Sequence, residues 1–199
     1  MKNLYIFRHG QSEWNIQNRL QGQTSNPKIY LTKQGLADAK TIAPKLKDKN
    51  IEIIISSDLT RAKQTGEQVA KDLNLPIEFS PKLQETNLGE AQGLTIPECD
   101  KKFPEMKTDY EFLTNHYDTP LANTGETINQ IINRIKNFLL AICNSKQESN
   151  IAISSHGGVI ACFLSSLNGG EYLKLDNADI VHVTYNENTN EFIYNGFIK

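Results

Sequence analysis

Cysteine is scarce in this chain: Cys99, Cys143 and Cys162 are the only three, widely spaced and without a CxxC pair. An odd, scattered set supports neither a disulfide framework nor a zinc site and fits a reducing compartment, so a cytoplasmic protein is expected. Long apolar runs are missing too. No stretch approaches the roughly 20 residues of a membrane span, and the early apolar segment, Leu4 to Phe7, is too short for the core of a secretory signal. Nor does one sign of charge dominate: 21 Lys and Arg stand against 23 Asp and Glu, net −2 at pH 7, intermixed along the chain. That balance leaves no footprint for nucleic acid or an anionic membrane, so any anion-binding charge has to be gathered locally by the fold. Internal repeats and low-complexity tracts are absent as well. At 199 residues the chain can bury a core as a single domain, 1–199, without disulfides or metal.

What is present is alternation. Apolar runs at 3–7, 51–56 and 150–154 read as buried strands, and they alternate with helical patterns. The expected fold is α/β, a three-layer α/β/α sandwich with a mostly parallel central sheet. Leu36, Ala39, Ala43 and Leu46 recur at helical spacing behind a Thr32 cap, and Pro44 should kink or shorten that helix. Leu59, Ala62, Val69, Ala70 and Leu73 form a second stripe, opened by Ser57 or Asp58 and ended by Pro76. Ile128, Ile131, Ile132, Ile135, Phe138, Leu139 and Ile142 predict a helix from about 125 to 145 with one face in the core. After His156 the sequence is apolar almost all round, as in a helix enclosed by the domain. Val181–Tyr185 and Glu191–Tyr194 read as a closing antiparallel hairpin at the sheet edge, which makes His182 a strand residue without a catalytic role. The segment at about 94–123, interrupted by Pro97, Pro104 and Pro120 and carrying Phe103, Tyr110, Phe112, His116 and Tyr117, reads as a lid-like insertion or a packed surface loop.

The chemistry concentrates where predicted strands end. Arg8-His9-Gly10 leaves the first strand, and the carboxyl end of a strand in an open α/β sheet is where binding crevices form. Arg8 offers a planar fork suited to phosphate or carboxylate, and Gly10 permits close backbone approach. Taken alone the triplet is more often a polar turn. Ser56 to Arg61 follows the second strand and puts an arginine in the first turn of a helix, where negative charge is preferred; an anion lodged there removes the conflict. Ser155-His156-Gly157-Gly158 opens another helix, whose free N–H groups and imidazole can converge on one anion. His156 alone reads equally as a helix-capping histidine, and Glu85 alone as a solvated loop acid.

Together these stretches resemble the histidine phosphatase superfamily, also called phosphoglycerate mutase-like. The matching segments are Arg8 to Asn15, Arg19 to Gly22, Leu31 to Gly35, Ser56 to Thr65, Leu83 to Glu85 with Gly89 and Gly93, Gly125 to Thr127 with Arg134, and Ser155 to Gly158. The resemblance implies that His9 is the nucleophile and forms a phosphohistidine, that Arg8, Arg61 and His156 bind the phosphoryl group, and that Glu85 donates the proton. It further implies contacts to substrate or phosphate from Gly10, Gln11, Ser12, Asn15, Gln21, Gly22 and Gly157. The substrate would be a small phosphorylated molecule, with no cofactor and no metal.

Elementary chemistry agrees with those roles. Phosphoryl transfer spreads negative charge over equatorial oxygens, which fixed cationic donors stabilise. A free histidine, with pKa about 6.5, is mostly neutral at pH 7 and ready to attack. A phosphate dianion favours a protonated imidazole beside it, whereas crowded cations without an anion repel by roughly 4 kcal/mol for a pair at 4 Å and effective dielectric 20. The leaving alcohol needs a proton, and acid–base help of that kind contributes about 10² to 10⁴ in rate.

Three departures from the family pattern bear on the reaction. The Gly22–Leu31 link is long and has Asn26 where Asp is frequent; Ala91-Gln92-Gly93 replaces Trp-Glu-Gly; and Thr86-Asn87-Leu88 lacks the Arg and Tyr that contact a mutase's substrate. These favour a metal-independent phosphomonoester hydrolase over a 2,3-bisphosphoglycerate-dependent phosphoglycerate mutase. Two rival readings are a metal hydrolase with His9, His156 and Glu85 as ligands, which lacks HExxH spacing and would set two arginines beside the cation, and a catalytically silent phospho-ligand module.

Overall fold

A computed structural model describes residues 1–106 and 118–199. Six strands form one sheet: β1 (Lys2–Arg8), β2 (Ile53–Ser56), β3 (Ile77–Phe79), β4 (Asn150–Ser155), β5 (Ile180–Asn186) and β6 (Glu191–Ile198), in the spatial order β3-β2-β4-β1-β5-β6. The first four are mutually parallel, while β5 pairs antiparallel with both β1 and β6. The expected hairpin therefore closes one edge, and its inner strand is the one that runs against the rest. His182 stacks on Tyr5 with ring centroids 4.8 Å apart, within the sheet and away from the chemistry.

Helices flank both faces: α1 (Glu13–Ile16), α2 (Lys33–Leu46), α3 (Thr60–Leu73), α4 (Ile96–Lys102), α5 (Ile128–Ser145) and α6 (Gly157–Ser165). Strand alternation decides which face each residue serves. Leu4, Ile6, Ile53, Ile55, Ile151 and Ile153 pack with α5 and α6, and Tyr5, Phe7, Ile54 and Ala152 pack with α2 and α3. The α5 stripe of Ile128, Ile131, Ile135, Leu139 and Ile142 is buried as its spacing predicts, each side chain contributing about 1.5–3 kcal/mol. Thr127 caps this helix through a reciprocal bond pair with Gln130, so it opens at 128 rather than 125. Pro44 sits in the last turn of α2, which ends at Leu46. In α3 the expected Ser57 or Asp58 cap is not made: Leu59 holds the cap position with no side-chain bond, Ser57 Oγ accepts from Leu59 N–H at 3.3 Å and lies 2.9 Å from His156 Nε2, and Asp58 accepts from Gln84 Nε2 at 2.7 Å.

The described parts of the 94–123 segment, 94–106 and 118–123, are more regular than their prolines suggest. They begin with α4, capped by Thr95 and Glu98, and bury Cys99, Phe103, Met106 and Leu121 in the core layer under α5. Tyr110, Phe112, His116 and Tyr117 lie outside the described residues. Among those that are described, no helix is long and apolar enough to cross a membrane.

Candidate active site

Four parallel strands end on the same edge of the sheet, and their exits supply the site. Arg8 closes β1, with its Cα opposite Ser155 at the end of the neighbouring β4. His9 and His156 follow these two adjacent strands and meet edge to face, ring centroids 5.2 Å apart. Arg61 arrives from β2 through the first turn of α3, and Glu85 from the loop after β3. A seam of small hydroxyls ties strand ends to helix: Ser56 and Ser154 Oγ both donate to Ala62 O, at 3.2 and 2.9 Å. Thr65 Oγ1 donates to Arg61 O and accepts from Gly10 N–H.

The hydrogen bonds of His9 assign its tautomer. Nδ1 lies 2.7 Å from Gly10 O, a group that can only accept, while Arg61 Nε, which can only donate, is 3.2 Å from Nε2. The ring proton is therefore on Nδ1, and Nε2 presents a lone pair. Burial pushes the His9 pKa well below its ordinary 6.5, the Arg61 and Arg8 charges push in the same direction, and the bond to Gly10 opposes them. His156 is lowered well below 6.5 as well, chiefly by burial and then by Arg61, His9, Arg8 and Arg134. Its Nε2 is 2.9 Å from Ser57 Oγ. Arg61 is 1% exposed; burial and Arg8 bring it down to about 10 against the opposing pull of Glu85, so it stays charged at neutral pH. Its Nη2 donates to Gly22 O at 2.8 Å, and Arg8 Nη1 donates to Leu175 O at 2.6 Å.

Two buried polar side-chain atoms among the described residues lack a protein partner, Arg8 Nε and His156 Nδ1. Such orphans are costly unless something outside the protein satisfies them. Both belong to groups gathered around His9, and a tetrahedral oxyanion is the species that fits a cluster of donors.

Glu85 differs from the expectation. The N–H groups opening α6 converge on an anion, but that anion is the Glu85 carboxylate: Gly158 N–H donates to Oε2 at 3.1 Å, and Val159 and Thr86 N–H donate to Oε1 at 2.9 Å each. The loop carrying Glu85 is held from behind by Arg134, whose guanidinium donates to Lys82 O, Gln84 O and Glu85 O and pairs with Glu126 at 2.7 and 2.9 Å. Gln23 Nε2 also donates to Glu85 O, at 2.9 Å.

A cavity of about 360 Å³ opens over this cluster, and Arg8, His9, Arg61, Glu85, Asn15, Gln21 and Gly22 line it. His156 is fully buried beside His9, with its Nδ1 unpartnered. Gly10, Gln11, Ser12 and Gly157, expected to contact phosphate, lie around the cluster, the first three in the loop after β1 and Gly157 at the start of α6. A Cβ on Gly10 would collide with the Gly35 carbonyl, and Gln11 is bonded through its backbone to Asp38 and Thr32. Ser12 caps α1 in a reciprocal box with Asn15, its Oγ 2.9 Å from both Asn15 Oδ1 and Gln21 Oε1. Gly157 packs beside Arg8 Nε. Sequence reasoning did not single out Asn177, whose Nδ2 donates to His9 O at 3.0 Å; 168 residues separate the two, and no local pattern links them. Among the described residues, no group of three or more His, Cys, Asp or Glu side chains is placed to hold a metal ion.

The pattern of the histidine phosphatase superfamily (branch 1) matches residues 4–195. This chain belongs to that superfamily. Among curated relatives, a probable phosphoglycerate mutase GpmB from Escherichia fergusonii is 31% identical over 192 residues, 94% of this chain and 86% of the relative. One of the same name from Yersinia pestis is 30% identical over the same shares. Among solved structures, a mycobacterial glucosyl-3-phosphoglycerate phosphatase in complex with VO3 superposes with TM-score 0.85, 23% identity and coverage of 98% of this chain and 97% of that one. A phosphoserine phosphatase from Entamoeba histolytica, solved with phosphoserine, gives TM-score 0.83, 25% identity and coverage of 100% and 98%. The superfamily's members in these comparisons are named as phosphatases and mutases, and the phosphoglycerate mutase-like α/β fold expected of this chain is the one it has.

Proposed function

We propose that the protein is a metal-independent phosphomonoester hydrolase working through a phosphohistidine on His9. The observation that carries this reading is the tautomer of His9: a neutral ring, proton on Nδ1, lone pair on Nε2, beside two arginines. Arg61 Nε passes from Nε2 to a phosphoryl oxygen, and the dissociable proton of the phosphate monoanion passes to the Glu85 carboxylate. The Nε2 lone pair then attacks phosphorus as the bond to the alcohol oxygen breaks, and that oxygen takes the proton from Glu85. Glu85, now a carboxylate, then takes a proton from water; the water oxygen attacks phosphorus and the N–P bond breaks, returning the pair to Nε2. Arg8 and Arg61 hold the equatorial oxygens, joined by the unpartnered Nδ1 of His156 once the bound phosphoryl charge favours its imidazolium, and stabilising charge there is usually the largest single contribution to rate. Asn15, Gln21 and Gly22 border the same space. Converting His9 to Ala should abolish phosphate release from p-nitrophenyl phosphate, and quenching the unaltered protein with detergent at alkaline pH should trap a phosphoenzyme that survives base and is lost on acid treatment. Undiminished release by the variant removes His9 from this role.

Isomerisation of phosphoglycerate is a second reading, supported by the names of the curated relatives. A mutase has to retain a bisphosphate and exclude water between its two half-reactions, whereas a hydrolase admits water to the phosphohistidine. Assaying 3-phosphoglycerate with and without 2,3-bisphosphoglycerate separates the two: a product requiring the bisphosphate supports the mutase, and release of inorganic phosphate independent of it supports the hydrolase.

A further inference from the structure

The cavity has two unlike linings. One is the charged cluster of Arg8, His9, Arg61 and Glu85; the other is the apolar set of Trp14, Leu20, Leu88, Ile96, Met106 and Leu121, with the neutral polar Asn15, Asn18, Gln21 and Tyr172 also on the wall. These walls are held in place. The capping box of Ser12 and Asn15 fixes the turn that carries Trp14, whose ring edge lies where a Cβ on Gly93 would be 3.7 Å away. Leu20 is locked to the facing strand segment by two backbone bonds, its N–H to Leu94 O at 2.9 Å and its O to Gly93 N–H at 2.8 Å. Leu121 and Met106 are themselves part of the core, 2% and 7% exposed.

Charge is the second observation. Beyond Arg8 and Arg61, the only cation lining the cavity among the described residues is Arg19, and it is engaged: Nη1 donates to Gly93 O at 2.6 Å, Nε to Gln17 Oε1 at 3.2 Å, and Glu98 lies 3.9 Å away. A second anionic group on the substrate, whether carboxylate or phosphate, seated against Leu20, Leu88 and Ile96 would lose its hydration without gaining an unengaged cation there.

We infer that the alcohol part of the substrate is uncharged and apolar, an alkyl or aryl group seated against Trp14, Leu20, Leu88 and Ile96. This rests on the phosphatase reading for the phosphoryl end alone, and binding tests it separately from turnover. Trp14 is the chain's single tryptophan, so its fluorescence reports occupancy of this wall. The full chain is titrated with ethylphosphonate, hexylphosphonate and 6-phosphonohexanoate, none of which can be hydrolysed. Each buried methylene strengthens binding by up to about fourfold, so hexylphosphonate should bind at least about tenfold more tightly than ethylphosphonate and at least about tenfold more tightly than its carboxylated counterpart. Equal affinity along the series, or tighter binding of the carboxylate, overturns the inference. Leu88 is only partly buried, and Leu88→Arg should bring the carboxylate to within about threefold of hexylphosphonate; unchanged discrimination also counts against this wall. In parallel, hexyl phosphate and 6-(phosphonooxy)hexanoate, which share a leaving-group pKa, are assayed with the unaltered chain and with His9→Ala. If the affinity ranking holds and neither ester is cleaved, the phosphatase reading fails and the apolar subsite stands; if both are cleaved by a His9-dependent route at equal kcat/KM, the reverse is true.

Discussion

A single buried ring governs how activity and stability respond to pH. Burial together with two arginine charges holds His9 well below its ordinary 6.5 in the empty site, so Nε2 keeps its lone pair well into the acidic range. The acid limb of kcat/KM, which reports the free enzyme, should therefore fall below pH 6.5 rather than at it, as a pH series with p-nitrophenyl phosphate would reveal. The same shift affects folding. The unfolded chain takes up protons on His9 and His156 as pH drops through 6.5 while the folded chain does not, so stability is complete above about pH 6.5 and declines as pH falls toward the lowered native values. Urea midpoints should accordingly drop between pH 7.5 and 5. His156→Asn, which removes one of the two titrating rings, should flatten that slope relative to the unaltered chain even if its absolute stability is lower.

At the scale of elements, the site depends on how closely loops can approach helices. The loop after β1 rests backbone to backbone on the first turn of α2: a Cβ on Gly35 would collide with Gln11 O, and one on Gly10 with Gly35 O. Gly35→Ala should displace His9 and lower kcat on p-nitrophenyl phosphate by at least about tenfold, the scale of loss that small misplacements of reacting groups produce. Arg134 on α5 does comparable work for Glu85, spreading its donors over three loop carbonyls and Glu126, with only 14% of its side chain exposed. Arg134→Met removes the donor to the Lys82 and Gln84 carbonyls and the cation beside the largely buried Glu126 carboxylate, and about 2–4 kcal/mol of stability should be lost, measurable by urea unfolding. Such elements were legible from sequence where the signal was local. Apolar runs gave β1, β2 and β4, and the isoleucine stripe gave α5. The signal failed where a polar side chain had a distant alternative. The Ser57 hydroxyl does not cap α3 and sits against Leu59 N–H and His156, and the N–H groups of α6 meet Glu85, which is more than 70 residues away.

Across the whole molecule, the order of the strands brings these distant pieces together. With β1 and β4 adjacent at the centre and β2 and β3 beyond them, residues 8, 9, 61, 85 and 156 come from four chain segments to one edge of the sheet. The motifs point to those residues, but not to how tightly their loops pack. Asn15, Gln21 and Gly22 line the cavity, and Gly10 and Gly35 let the loop after β1 rest backbone to backbone on α2, a closeness that depends on packing between loops and leaves no mark in spacing. Because Arg8 and Arg61 converge from separate segments beside two histidines held neutral, the repulsion of the two guanidiniums acts against the fold as a whole until an anion is bound. An oxyanion that binds the folded state alone stabilises it by RT ln(1 + [L]/Kd), about 2.7 kcal/mol at a hundredfold excess over Kd. Orthovanadate and inorganic phosphate should therefore raise the melting temperature in proportion to the logarithm of their concentration. Chloride at equal ionic strength, a monovalent and weakly directional anion, should give much less. Arg61→Met should erase most of the vanadate-dependent rise while leaving the chloride response in place, because Arg61 is the buried guanidinium beside His9 Nε2. Equal stabilisation of the variant and the unaltered chain by vanadate would mean that the anion sits elsewhere. The decisive quantity is thus the difference between two concentration-dependent melting curves, which a mere loss of packing in the variant would shift together.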